Sequence, residues 1–282
     1  MLPFTREQFF DVFATYNQAV WPAQLVFLTL ALAMLGEIIF QKRAVWANWA
    51  LAGFWIWTGI VYHALFLALI NPLAYGFAAA FVIQGVLLAR ATHVGTLRFA
   101  VPRDMVSLVV GIALMGYALV GYPIVAIASG QVYPGVPTFG VPCPTVIFTF
   151  GLLAWSARPS WTLLIVPGAW AVIGISAAIQ LAVPEDWGLP VAALAIMLLR
   201  RRSGRMRTHD SGGACPMRRV TRRRRTYTGH ARPRRSSDDR RGTLDAARLD
   251  GGRARCSAEL GRIPTADSDS VSPSASATDT SW

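Results

Sequence analysis

Apolar runs of roughly 17–25 residues recur through residues 1–199, and that is the length a helix needs to cross ~30 Å of hydrocarbon. A chain carrying several such runs has few structural options. Inside lipid every backbone N–H and C=O must be paired, which leaves helices or a closed barrel, and uninterrupted runs of this length select helices. Seven spans can be drawn, at 21–40, 45–69, 73–91, 105–127, 138–156, 161–183 and 187–199. The fifth is apolar without interruption only from Val146. The seventh holds about 13 residues and needs snorkelling flanks or local thinning of the bilayer. The expected fold is therefore all-α, a polytopic transmembrane bundle. The N-terminus lacks the basic start and small-residue cleavage site of a signal peptide, so the first span is expected to serve as an uncleaved signal.

Charge orients the bundle. Lys42 and Arg43 lie between spans one and two, Arg90, Arg98 and Arg103 around the third connection, and Arg158 between spans five and six. The second and fourth connections carry no Lys or Arg, and the sixth carries Glu185 and Asp186 alone. Positive residues mark the cytoplasmic side, so this alternation puts the N-terminus outside and the C-terminus inside. It also favours seven spans, because with six the arginines at 200–202 would fall outside. Trp21, Trp46, Trp49, Trp155, Trp161 and Trp187 stand at span ends, where amphipathic rings prefer the interface. Trp55, Trp57 and Trp170 are deeper and are expected to pack between helices.

Two flanking segments differ from the bundle at 21–199. In 1–20, Thr5 and Gln8 form a capping-box pattern, and Phe9, Val12, Phe13 and Tyr16 make one apolar helical face. This predicts an amphipathic helix, lying either on the outer membrane surface or over the mouth of the bundle. From 200 to 282 the chain holds twenty Arg, no Lys and nine acids, with six Leu, Ile, Val or Phe in all. Such a stretch cannot build a core and is expected to be disordered. Its basic run suits anionic lipid rather than a specific nucleic acid. GC-rich DNA read out of frame would give the same composition.

Ionisable groups inside spans are costly and so become candidate sites. Glu37 sits near the inner end of span one, where it is either a carboxylate paired with Lys42 and Arg43 or a proton or cation site. His63 lies in the outward half of span two, as a packing imidazole or as a ligand. Gln84 and Gln180 read as interhelical hydrogen bonds. Gly111, Gly116 and Gly121 recur every five residues and permit close helix approach. Cys143 stands in "PCP" at the outer mouth of span five, with Pro144 suited to a first helical position. A thiol there is either a loop-to-helix junction or a reactive group. With His63, Glu185 and Asp186 on the same side, it would suit a small solute or a soft metal.

No phosphate-binding loop, zinc-protease, serine-elbow or paired-cysteine motif occurs. Four stretches, "LPFTREQFFDVFATYNQAVWPAQ", "WTGIVYHALFLALINPLAYGFAAAF", "PCPTVIFTFGLL" and "VPEDWGLPVA", resemble an uncharacterised family of bacterial integral membrane proteins of unknown function, over about residues 1–199. The resemblance implies a bacterial inner-membrane protein and no catalytic residues. Three functions then compete. The chain binds or moves a small solute or metal ion; it is a structural subunit packing with itself or a membrane partner; or it is a thiol-dependent redox enzyme. The residues do not identify a cofactor or a particular metal.

Overall fold

The computed structural model describes residues 3–40, 45–156 and 160–211, with side chains to residue 202. Lys42, Arg43, Arg158 and the basic segment from 212 onward lie outside the described residues. The described chain is all-helical, with helices α1 (Arg6–Ala19), α2 (Ala23–Phe40), α3 (Val45–Trp57), α4 (Ala74–His93), α5 (Met105–Gly116), α6 (Tyr122–Ala128), α7 (Pro142–Ala154), α8 (Thr162–Gln180) and α9 (Gly188–Ser211). A π-helical stretch, Thr58–Phe66, prolongs α3, and a second, Tyr117–Gly121, joins α5 to α6.

Five helical runs are long and apolar enough to cross a membrane: Ala23–Phe40, Val45–Leu69, Ala74–His93, Met105–Ala128 and Thr162–Gln180. Their outward faces are apolar. Leu25, Leu32 and Ile39 on α2, and Ile165, Val172 and Ile179 on α8, are exposed at seven-residue intervals, one continuous stripe on each helix. Stripes of this kind are lipid-facing surface in a multi-pass membrane protein and a liability in water.

Helix α7 departs from the expected fifth span. It has 13 residues rather than the drawn 138–156, at 1.5 Å per residue too short to cross alone, and every one of them is buried. It is the axle of the bundle, packed by α3, α5, α8 and α9. Hydrophobic sorting cannot drive such packing in lipid, so close van der Waals fit and hydrogen bonds must. Gly151 supplies the fit, since a Cβ there would meet Met115 Cγ at 2.5 Å and the Gly111 carbonyl at 3.1 Å. Of the three spaced glycines, Gly111 faces Trp155 while Gly116 faces open space, so the five-residue spacing is not one contact stripe. Trp55 Nε1 donates to Thr149 Oγ1 of α7 at 2.9 Å, and Gln84 Nε2 donates to the Leu163 carbonyl at 3.0 Å. Gln180, by contrast, is exposed. Trp155 is buried instead of interfacial, and its indole lies against Gly111.

The connections sort to two ends. At one end Asn48 Nδ2 donates to the Leu97 carbonyl at 2.9 Å, and Ala100 N donates to the Trp155 carbonyl at 3.1 Å. At the other lie α1 and the connections free of Lys and Arg. Helix α1 starts with the expected capping box, Thr5 and Gln8 bonding reciprocally. Its apolar face packs on the bundle: Phe13 stacks on Tyr62 at 5.6 Å and Tyr16 meets Phe66 edge-on at 5.4 Å. Asn17, fully buried, ties it down by donating to the Pro134 and Val136 carbonyls at 2.7 and 2.8 Å. Arg6 Nε donates to the Leu181 carbonyl at 2.9 Å. The turn under α1 needs glycine at 140: its φ is +105°, and a Cβ would meet Phe27 Cδ2 at 2.5 Å.

Helix α9 does not stop at the arginines. It continues to Ser211, so residues 200–211, expected to open a disordered segment, are helical.

Candidate functional site

Under α1 lies a cavity of about 350 Å³, at the lower end of the range of small-molecule sites. Helix α1 and its lead-in roof it with Phe4, Phe9 and Phe13. Tyr62, Phe77 and Trp170 form aromatic walls from three different elements. Ile173, Gly174, Ser176 and Ala177 of α8 close one side. Polar groups are few: Asn71, Ser176, and at one wall Cys143 and Asp186. The Asn71 Oδ1 accepts from Leu73 N at 3.1 Å.

Local sequence explains how Cys143 and Asp186 meet. Val141 caps α7 and Pro142 holds its first position, where a missing N–H costs nothing. The expectation that Pro144 opens the helix is off by two residues, and Cys143 therefore falls in the first turn. Asp186 comes from a 3₁₀ turn, Pro184–Trp187, set between α8 and α9 by Pro184. The Tyr122 hydroxyl donates to Asp186 Oδ1 at 2.5 Å, and the Cys143 thiol also bonds this carboxylate. The Trp170 Nε1–H lies close to the same thiol and has no hydrogen-bond partner among the described residues. Asp186 is 1% exposed, and burial pushes its carboxyl up to about 6, with the tyrosine and thiol donors opposing.

Glu185 is equally buried, yet neither carboxylate oxygen finds a partner among the described residues. Burial lifts it to about 7; the Asp186 charge adds to this and Arg6 opposes it. Its backbone carbonyl accepts from the Tyr117 hydroxyl at 2.8 Å, which anchors the turn.

The other candidates stand apart. His63 is fully buried, and both ring nitrogens lack partners among the described residues. Phe81 and Trp170 pack on its ring at 4.6 and 5.0 Å, with Tyr62 and Phe77 completing the cage. It does not line the cavity; it lies one layer behind the aromatic wall. Glu37 is at the opposite end, where its Oε2 accepts from Ala47 N at 2.6 Å and its Oε1 from Trp46 N at 3.2 Å. That is a helix cap for α3, supplied from the preceding helix. Among the described residues no three His, Cys, Asp or Glu side chains converge as a metal site requires.

Sequence reasoning missed Tyr122, Tyr62 and the roofing phenylalanines as site residues. The π-helical stretch Thr58–Phe66 contributes Tyr62 to the cavity wall, and π turns are frequent at functional sites. It carries Tyr62 and His63, while the second stretch, Tyr117–Gly121, ends directly before Tyr122, which bonds the carboxylate. Nothing in the residue pattern announces a π turn.

No curated protein and no solved structure matches the chain. The family comparison covers residues 6–210 and runs past the arginines at 200–202, beyond the limit at 199 read from the sequence. An all-helical chain roofed by α1 and continuous to the end of α9 thus matches one family along nearly all its described length, and it belongs to that family of unknown function, DUF6064.

Proposed function

We propose that the protein is a seven-span protein of the bacterial inner membrane, N-terminus outside, that holds a small organic solute in the cavity beneath α1. Helices α7 and α9 supply the two crossings beyond the five long runs, α7 being shielded from lipid by its neighbours. The sorting of base-free connections to the α1 end supports an outward opening. The observation that carries the reading is the aromatic cavity of about 350 Å³ with a buried carboxylate and thiol in its wall. Metal binding has less support, because among the described residues Cys143 and Asp186 have no third His, Cys, Asp or Glu ligand beside them. A redox role has less too, since Cys143 is buried and is the single free cysteine among the described residues.

The test is equilibrium dialysis of neopentylbenzene, a compact neutral probe, against the purified full chain in nanodiscs, with empty nanodiscs as blank. Saturable binding near one probe per chain is expected, and Ala177→Trp, which fills the cavity, should abolish it. Equal uptake by both proteins would refute the reading.

A further inference from the structure

Asp186 poses a problem of charge. A carboxylate 1% exposed normally has a cation beside it, because desolvating an unpaired charge is costly. Among the described residues its two hydrogen-bond donors, Tyr122 and Cys143, are both neutral. Arg6, at this end of the bundle, bonds the Leu181 carbonyl and acts on Glu185. An ionised carboxylate accepts at about four lone-pair positions, so two donors leave it unsaturated. Asp186 is also one of the residues that line the cavity.

The rest of the lining fits the same kind of guest. Phe9, Phe13, Tyr62, Phe77 and Trp170 turn aromatic surface to one space. The face of an aromatic ring carries partial negative charge and attracts a cation, most strongly where water is excluded. Aromatic walls around one carboxylate therefore complement a positive nitrogen with an apolar body. They disfavour fatty acids and other anions, whose carboxylate or phosphate would be forced against Asp186.

We propose that the cavity is a site for small organic cations, amines or quaternary ammonium compounds with an apolar group, whose charge pairs with Asp186 inside the aromatic box. This rests on the solute-binding reading above and specifies its ligand class. Trp170 has a double part in it, forming one wall of the box and covering His63 behind it. Cys143 and Tyr122 are positioning residues, holding the carboxylate toward the guest.

The probe is benzyltrimethylammonium, compared with neopentylbenzene, which has carbon in place of the charged nitrogen and the same shape. Both are dialysed at pH 7.5 against the full chain in nanodiscs. The cation should bind at least about tenfold more tightly than its neutral isostere, the scale of a desolvated cation–aromatic contact plus a charge pair. Asp186→Asn keeps an acceptor for Tyr122 and should remove that preference while still binding neopentylbenzene, which shows that the variant is folded. If wild-type protein binds the neutral probe as tightly as the cation, the inference falls and the cavity reading stands. If neither probe binds, both fall. If Asp186→Asn keeps the full preference for the cation, the assignment of the charge to Asp186 is wrong.

Discussion

The Tyr122 hydroxyl donates a 2.5 Å hydrogen bond to Asp186 Oδ1, joining the fourth long run to the turn between α8 and α9. The bond offsets only part of the cost of burial, because the Asp186 carboxyl still sits near 6, above its ordinary 3.8. A folded pKa above the unfolded one means that the folded state holds the proton more tightly. The stability from that proton is fully present below pH 3.8 and is lost as pH rises through about 6. Wild-type protein in detergent should therefore unfold at a higher temperature at pH 5 than at pH 7.5. Glu185, lifted to about 7, titrates in the same window and in the same direction, so Asp186→Asn should weaken this dependence without abolishing it, and gain on the order of 2–3 kcal/mol at pH 7.5. Thermal unfolding followed by circular dichroism at the two pH values is the check. An unchanged pH dependence in the variant would mean that Asp186 contributes nothing and that Glu185 carries the effect.

Asn17 holds the roof of the cavity. Its amide donates to the carbonyls of Pro134 and Val136, and its Oδ1 accepts from Thr138 at 3.3 Å. Asn17→Ala leaves two carbonyls and a hydroxyl to find other partners in a buried setting, at a cost of about 2–4 kcal/mol. The loss should be local, since α1 meets the bundle over few elements. Amide hydrogen exchange across residues 6–19 should accelerate at least tenfold, while α7 stays protected. Uniform acceleration in both would show that Asn17 supports the whole bundle instead.

Much of the helix layout was legible, because apolar length and capping are local signals. The run 45–69 matches the observed span to the residue, since charged residues precede it and Asn71-Pro72 follows. Thr5 and Gln8 also behaved as their spacing demands. Burial was less legible. Trp155 looks interfacial by position yet faces inward, because Gly111 opens a slot for it that lies 44 residues away in the chain. The site was half legible. Charge alternation sends Cys143, Glu185, Asp186 and His63 to one side of the membrane, and of these Cys143 and Asp186 line the cavity. Whether His63 faces the cavity depends on the phase of a π turn, which no hydropathy pattern encodes.

Glu37 is the candidate that the geometry explains most fully as structure. Its carboxylate closes the start of α3 by accepting from two backbone N–H groups, at the positive end of that helix. Glu37→Ala should cost about 1 kcal/mol, and Glu37→Gln less, because the amide oxygen can still accept. Neither should alter probe binding in the cavity at the other end. Thermal unfolding with dialysis in parallel separates the two roles. Loss of binding in Glu37→Gln without loss of stability would reinstate Glu37 as a functional group.

His63 offers the sharpest contrast between packing and function. Four aromatic rings enclose an imidazole whose nitrogens have no partners among the described residues. Replacing an unsatisfied polar ring by an apolar one of similar shape removes a desolvation penalty, and such exchanges range from neutral to stabilising. His63→Phe should therefore raise the unfolding temperature or leave it unchanged, with a gain of up to about 1–2 kcal/mol. If His63 only packs, cation binding should also persist, because Trp170 stays in the wall. A stable His63→Phe protein that no longer binds the cation would mean the opposite: that Trp170 swings aside in solution and brings the imidazole into the cavity beside Asp186.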